Sequence, residues 1–262
     1  MHQLLNLDQY PIDKLDSIQG QALVETCKEK LQKNGIFSLE GFLRPEAVAE
    51  CVAEIHPLTE NESFTHKRKH NIYFRDELPG IAAGHPALKI FETINHTVCA
   101  DQMSNSLVCR LYEWQPFIDF LAAVMGKTNL YRMADPLARV NVMAYRDGEA
   151  LNWHFDRAEF TTTVVLQSPN AGGAFQYRSD LRTDENPNYD GVADLLKGDD
   201  SDVETLTIDA GTLNVFKGKY TAHRVTPVEG AAERIVTVFS YYDEPDVVFS
   251  STEQIGFYGR SA

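Results

Sequence analysis

Apolar residues in the first half of the chain recur at the spacing of an α-helix. Leu23, Cys27 and Leu31 lie four residues apart and precede Asn34-Gly35, a typical helix stop, so residues 20–34 are predicted to be helical. The other elements predicted in this part of the chain are a strand at 36–39 and helices that begin at Pro45 and cover 86–100, 104–114 and 116–125.

From about residue 130 the apolar positions change from a period near four to a period of two. Asn141, Met143 and Tyr145 fall on one face of residues 138–145 and small apolar residues on the other, which is the pattern of a strand. The predicted strands are 138–145, 160–167, 173–178, 204–209, 212–216, 222–228 and 234–242. Several short strands separated by Gly and Pro turns are typical of a sandwich or barrel. We therefore predict an α+β fold, with a mainly helical region at 1–130 packed on a β core at 131–262, in one continuous domain.

Two polar stretches interrupt these patterns. Residues 57–84 contain the basic run from His66 to His70, and we interpret the stretch as a solvated loop, with an anion-binding patch or extra metal ligands as alternatives. A loop of this length often acts as a lid or a binding loop. Residues 179–203 carry eight acidic side chains and a short helical turn at 192–196. We interpret them as an acidic surface insertion; the alternative is a lid whose negative field attracts a cationic substrate.

Composition narrows the class of protein. A hydrophobic content of 43% fits a globular fold, and the net charge of −14 argues against a nucleic-acid substrate, which would require a basic face. No apolar run approaches the ~18–20 residues that cross a bilayer, so no membrane association is predicted. The four cysteines form no CxxC pair and the start shows no secretory signal, so we expect buried thiols and a cytoplasmic location.

The chemistry of the chain centres on His154 and Asp156. In a strand, residues two apart place both side chains on one face, and His223 could bring a second imidazole from a distant strand. Two histidines and one carboxylate cover one face of an octahedral metal and leave three positions open, a set that suits non-haem Fe(II). Zinc fits less well, because the sequence marks no base beside a catalytic water.

The order Tyr145, Gly148, His154-x-Asp156, Gly172-Gly173, Gly211, His223 and Arg234 resembles the Fe(II)/2-oxoglutarate-dependent dioxygenases across residues 138–242. The resemblance implies a double-stranded β-helix, the cupin-like jelly roll, with iron bound by His154, Asp156 and His223. It also implies that Arg234 pairs with the far carboxylate of 2-oxoglutarate and that O2 is the second co-substrate. Tyr145 and Asn141 are further candidates for co-substrate binding, whereas Val236 occupies a slot where many members carry Ser or Thr.

The whole chain is most similar to the carrier-independent amino-acid halogenases and their hydroxylase relatives, on its length, its helical first half and the run Ala134–Asn141. The halogenases replace the metal-binding carboxylate with Gly or Ala, so the retained Asp156 implies hydroxylation. The resemblance further implies a small-molecule substrate, a free amino acid. From their positions beside the metal ligands or the basic run, Arg157, Asn152 and Arg75 are candidate substrate contacts, with a surface salt bridge as the alternative for Arg157. The alternatives are a peptide or other macromolecular substrate, or a non-catalytic metal-binding jelly roll. The oligomeric state stays open, with a homodimer as one alternative.

Overall fold

The structure is a computed structural model that describes residues 1–75 and 77–262. The helices in these residues are α1 (Ile18–Asn34), α2 (Pro45–Asn61), α3 (Leu107–Glu113), α4 (Gln115–Met125), α5 (Tyr189–Lys197) and α6 (Ser251–Tyr258). The strands are β1 (Ile36–Leu39), β2 (Phe64–His70), β3 (Phe91–Cys99), β4 (Tyr131–Arg132), β5 (Val140–Tyr145), β6 (Leu151–His154), β7 (Thr161–Gln167), β8 (Ala171–Gly172), β9 (Phe175–Arg178), β10 (Glu204–Leu206), β11 (Leu213–Phe216), β12 (Ala222–Val225), β13 (Val228–Glu229), β14 (Arg234–Phe239) and β15 (Tyr241–Tyr242).

Two antiparallel sheets form the framework of the molecule. The larger has seven strands in the order β1-β11-β7-β14-β5-β3-β2, and the smaller has four in the order β10-β9-β12-β6. Strands of both sheets line one cavity, β5 and β14 from the larger and β6 and β12 from the smaller. The predicted α+β fold with a jelly-roll core is therefore confirmed.

The larger sheet has one face toward helices and one toward the cavity, because successive side chains of a strand point to opposite faces. Val140, Val142 and Ala144 of β5 pack in the main hydrophobic core with apolar residues of α1 to α4. Met143 and Tyr145, at alternate positions, line the cavity. Complete burial of each large apolar side chain contributes roughly 1.5–3 kcal/mol, so this helical layer holds the cavity wall in place.

The helix predicted at residues 86–100 is wrong, since Phe91–Cys99 forms strand β3 between β2 and β5. Its last five residues are all buried, so the two-residue alternation of a half-exposed strand is lost and the apolar spacing imitates a helix. The solvated loop predicted within residues 57–84 is also wrong for Phe64–His70, which forms the edge strand β2. Three strands from residues 1–130 thus join the larger sheet, and the predicted boundary at 130 runs through a shared sheet.

The acidic stretch at residues 179–203 folds back onto the smaller sheet. Its predicted helical turn extends to the nine-residue helix α5, which is capped by Asn188 and ends at Gly198. Val192 and Leu195 of α5 pack in a hydrophobic cluster that includes Tyr73. The four cysteines are free and buried. Within the described ranges, no helix combines the length and the apolar character that a membrane crossing requires.

Candidate metal and co-substrate site

The metal-binding residues predicted from sequence meet at one point. His154 and His223 are directly paired across β6 and β12, so their side chains share a face and their ring centroids are 4.1 Å apart. Asp156 follows the end of β6, with Oδ1 3.4 Å from His154 Nε2 and Oδ2 3.3 Å from His223 Nε2. One donor atom from each residue lies within 4.8 Å of the others, as three ligands of one ion require. This is the only such group among residues 1–75 and 77–262.

Backbone carbonyls determine which nitrogen of each imidazole faces the centre. His154 Nδ1 is 2.9 Å from the Asn152 carbonyl oxygen, and His223 Nδ1 is 3.0 Å from that of Thr221. A carbonyl only accepts hydrogen bonds, so each Nδ1 carries the proton and each Nε2 directs its lone pair toward Asp156. Burial lowers the pKa of His154, which favours the neutral form that binds metal.

Asp156 is held as a carboxylate by its neighbours. Burial alone would raise its pKa, but the adjacent side chains of His223 and His154 bring it well below the ordinary value. Thr161 Oγ1 donates to Oδ2 at 2.5 Å, and the backbone N–H donates to the Gly218 carbonyl oxygen at 3.0 Å. A Cβ at position 218 would lie 2.6 Å from Oδ2, so only glycine leaves room for this arrangement. The donor set and its protonation fit a divalent transition metal such as Fe(II).

Arg234 places a separate guanidinium group in the same cavity. It stands opposite Tyr145 in the β14–β5 register, and its Cζ lies 6.0 Å from the centroid of the tyrosine ring. The side chain is 5% exposed, and Nη1 is buried with no hydrogen-bond partner among the described residues. Because an unpaired buried guanidinium is costly, this atom indicates a missing acidic ligand. The carboxylate of 2-oxoglutarate fits the requirement. Val236, two residues further along β14, also lines the cavity, and its side chain has no hydroxyl that could bind the carboxylate.

The other candidates have different surroundings. The Asn141 amide nitrogen donates to the Leu137 carbonyl at 2.8 Å and its oxygen accepts from the Tyr258 hydroxyl at 2.9 Å, so it anchors α6 to β5. This engagement argues against direct co-substrate binding by Asn141. Asn152 is not in the cavity lining, because its amide donates to the Glu92 carbonyl oxygen at 2.7 Å. Its contribution to the site is the carbonyl that orients His154.

Arg75 and Arg157 are exposed residues that line the cavity. The cavity has a volume of about 640 Å³. Arg68 and Arg182 line it as well; sequence reasoning missed Arg182 and covered Arg68 only within the basic run for which an anion-binding patch was an alternative. Alternation within residues 64–70 could have located Arg68, since the basic run reads as a strand with every second residue inward. No comparable local signal marks Arg182, which lies in the acidic stretch.

Comparison with known proteins places these features in context. A sequence model described as Halogenase D matches residues 19–255. Among solved structures, AviO1 from Streptomyces viridochromogenes superposes with a TM-score of 0.57 at 14% identity, covering 85% of this chain and 96% of that one. The epimerase SnoN, in complex with Fe3+ and alpha ketoglutarate, gives 0.56 at 16% identity, covering 85% and 84%. A Pseudomonas putida prolyl-4-hydroxylase gives 0.50 at 14% identity, covering 82% and 97%. At such identities the structural matches show a shared fold. A search of curated proteins finds no match.

Proposed function

Because the chain belongs to the Halogenase D family of Fe(II)/2-oxoglutarate oxygenases, we propose that it hydroxylates an unactivated C–H bond of a small polar molecule, a free amino acid in the first instance. The protein is an oxidoreductase of the dioxygenase class, and its cofactor and co-substrates are Fe(II), 2-oxoglutarate and O2. The observation that carries the choice of hydroxylation is the carboxylate of Asp156 between the two imidazoles.

Counting positions around the metal explains why Asp156 matters. His154, Asp156 and His223 would supply three of the six positions of an octahedral ion. An iron ion held by these residues would supply the chemistry of O2 activation and of 2-oxoglutarate decarboxylation. The two co-substrates would take up the open side of such an ion, so with Asp156 retained no site would remain for chloride. A halogenating enzyme would have to give up the carboxylate that this chain retains.

Arg234 supports the binding of 2-oxoglutarate. Its unpaired Nη1 can donate to the distal carboxylate, and burial in a water-poor wall strengthens such a charge-assisted hydrogen bond. A bond of this kind contributes about 1.5–3 kcal/mol. The hydroxyl of Tyr145 has only a weak contact, 3.5 Å from the sulfur of Met143, so it is available as a second donor. The chain's own contribution to catalysis is thus to hold the keto acid in one orientation at the metal.

A small substrate is favoured by the size of the cavity. About 640 Å³ lies within the range of sites that enclose one small molecule. Arg75, at the exposed part of the lining, remains the proposed contact to a substrate carboxylate, whereas Arg157 is engaged in an ion pair with Glu253. In this interpretation Asn152 acts only through its backbone carbonyl.

The test is an assay of purified protein with Fe(II), 2-oxoglutarate and a panel of free amino acids, in buffer that contains chloride. We expect succinate to form in step with a product that has gained one oxygen atom. A chlorinated product would refute the argument from Asp156. Turnover only with peptides would favour the macromolecular alternative. Absence of succinate with every compound, including substrate-free decarboxylation, would favour a non-catalytic metal-binding protein.

A further inference from the structure

The charge of the cavity lining is opposite to the charge of the protein. The chain as a whole has a net charge of −14, yet Asp156 is the only carboxylate residue in the lining among residues 1–75 and 77–262. The basic residues of the lining are Arg68, Arg75, Arg157, Arg182, Lys219 and Arg234. Basic side chains in a concave site raise the local concentration of anions. The cavity should therefore attract anions although the protein as a whole is negatively charged.

Some of these charges are already compensated. Arg157 forms an ion pair with Glu253, and Lys219 Nζ lies 2.5 Å from Asp184 Oδ1. Arg234 is assigned to 2-oxoglutarate. The acidic stretch at 179–203 therefore neutralises a lysine at the cavity and adds no described carboxylate to the lining, contrary to a lid that attracts cations.

The remaining arginines, Arg68, Arg75 and Arg182, form no ion pair with a carboxylate of the described ranges. The charges assigned to the centre balance one another, since Fe(II) and Arg234 offset Asp156 and the two carboxylates of 2-oxoglutarate. Among residues 1–75 and 77–262, the positive charges of the other arginines find no counter-charge. Unpaired charge in a partly buried site is unfavourable, so a bound anion would stabilise it.

Arg182 is held in a fixed position beside the metal ligands. Its Nε donates to the Lys219 carbonyl oxygen at 2.7 Å, and its Cζ lies 4.0 Å from the centroid of the Phe155 ring. Phe155 is the residue between His154 and Asp156. Neither contact uses the terminal nitrogens of the guanidinium, so these stay available for a bidentate bond to an oxyanion.

Arg68 is placed in the same way on the other sheet. Strand β2 alternates, with Arg68 turned inward and Lys69 exposed. The Cζ of Arg68 lies 4.8 Å from the centroid of Phe74, and that ring packs edge-on against His154 at 5.8 Å. Arg68 is therefore separated from His154 by one aromatic ring, and Arg182 stacks on the residue between His154 and Asp156. Because stacking on a ring already restricts each arginine side chain, less conformational entropy is lost when a ligand binds.

We propose that the substrate of this site is an anion with at least two acidic groups, either a dicarboxylate such as an acidic amino acid or a phosphorylated small molecule. The proposal rests on the proposed function and specifies its substrate class. Carboxylate and phosphate groups can each present two acceptor oxygens to the planar guanidinium group of an arginine. A cationic amino acid is disfavoured, because its ammonium groups would face arginines and find no free carboxylate in the described lining.

The test measures binding by calorimetry under anaerobic conditions, with protein loaded with Fe(II) and 2-oxoglutarate, so that no turnover is needed. The probes are aspartate and glutamate as dicarboxylates, O-phosphoserine and AMP as phosphates, and leucine and lysine as comparison compounds. We expect members of one anionic group to bind at least about ten times more tightly than leucine or lysine, and the tighter group identifies the acid. Tightest binding of leucine or lysine, or binding of none of the anions, would overturn the proposal.

Variants assign the effect to the two arginines. Arg68→Gln and Arg182→Gln should each raise the Kd of the bound anion about 10- to 100-fold, the range expected for losing a hydrogen bond to a charged group. Arg182→Lys should recover part of the loss, and 2-oxoglutarate binding should not change. Lys69→Gln is the matched control, because it removes one positive charge from the adjacent exposed position of β2. An equal loss in Lys69→Gln, or no loss in either arginine variant, would refute a direct role.

Aeration of the same samples separates this proposal from the proposed function. Succinate formed with leucine or lysine alone would uphold oxygenation and refute the acidic substrate. Tight binding of an anion without any succinate would refute oxygenation and leave the binding result intact.

Discussion

Gly218 is the position at which one added methyl group tests the metal site most directly. Its backbone carbonyl accepts the N–H of Asp156, and its Cα faces the carboxylate and the Thr161 hydroxyl. A Cβ there would lie 2.2 Å from Thr161 Oγ1, 2.6 Å from Asp156 Oδ2 and 2.9 Å from Asp156 Cβ. Ordinary contact begins near 3.4 Å, so Gly218→Ala must move the Asp156 carboxylate by about 0.8 Å.

That displacement is large for a metal ligand, since ligand distances are tolerated within about 0.2 Å. It also disturbs the hydrogen bond from Thr161 that orients the carboxylate. Losing such an outer contact usually costs 10- to 100-fold in metal affinity, which corresponds to about 1.4–2.8 kcal/mol. Overpacking should destabilise the fold by a further 1–3 kcal/mol or so, a fall in Tm of roughly 2–4 °C for each kcal/mol.

The assay combines anaerobic Fe(II) titration with thermal unfolding of the metal-free protein. Gly256→Ala is the control, because a Cβ at that position of α6 meets nothing within 4 Å. Alanine is the better helix former by about 1 kcal/mol, so this control should bind iron normally and unfold no lower than the parent. Unchanged Fe(II) affinity in folded Gly218→Ala would refute the packing argument, as would an equal loss in the control.

Three further predictions follow from individual contacts. Asp156→Gly should abolish hydroxylation and open a position for chloride, measured by product mass; undiminished hydroxylation would show that Asp156 is not a ligand. Arg234→Ala should raise the KM for 2-oxoglutarate roughly 10- to 150-fold while kcat at saturation changes less, because about 1.5–3 kcal/mol of binding is lost; an unchanged KM would assign the carboxylate to another group. Asp135 is fully buried and accepts four hydrogen bonds, from the backbone of Leu137, Ala138 and Phe249 and from Gln254. Burial opposes its ionisation, but these bonds hold its pKa below the ordinary 3.8, so its stabilisation is present above about pH 3.8 and is lost as the pH falls further. Asp135→Ala leaves these buried donors unpaired and should lower the free energy of unfolding at pH 7 by at least about 1.5–3 kcal/mol, and a loss of the same size at pH 2 in urea titrations would contradict this account.

The strands show most clearly which elements could be predicted from sequence and which could not. Strand β5 was predictable because helices cover one face and the cavity the other, so large and small side chains alternate. Strand β3 was predicted as a helix because its neighbours bury its final residues on both faces. Strand β2 was predicted as a loop because its inward residues are basic, a choice that makes sense only once the cavity is present.

The sequence alone determined the chemistry of the centre. His154 and Asp156 lie two residues apart in or beside a strand, so short-range geometry and residue type marked this pair. The resemblance to the dioxygenases identified His223 as their partner, and the pairing of β6 with β12 brings it to them. Only the tertiary structure decided what surrounds that centre. In the folded protein the Asn152 side chain bonds to the Glu92 carbonyl outside the cavity, and Asn141 bonds to Tyr258 of α6. Arg68 and Arg182 stack on aromatic rings near the metal ligands. These placements depend on contacts between segments far apart in the chain, and local periodicity carries no information about such partners.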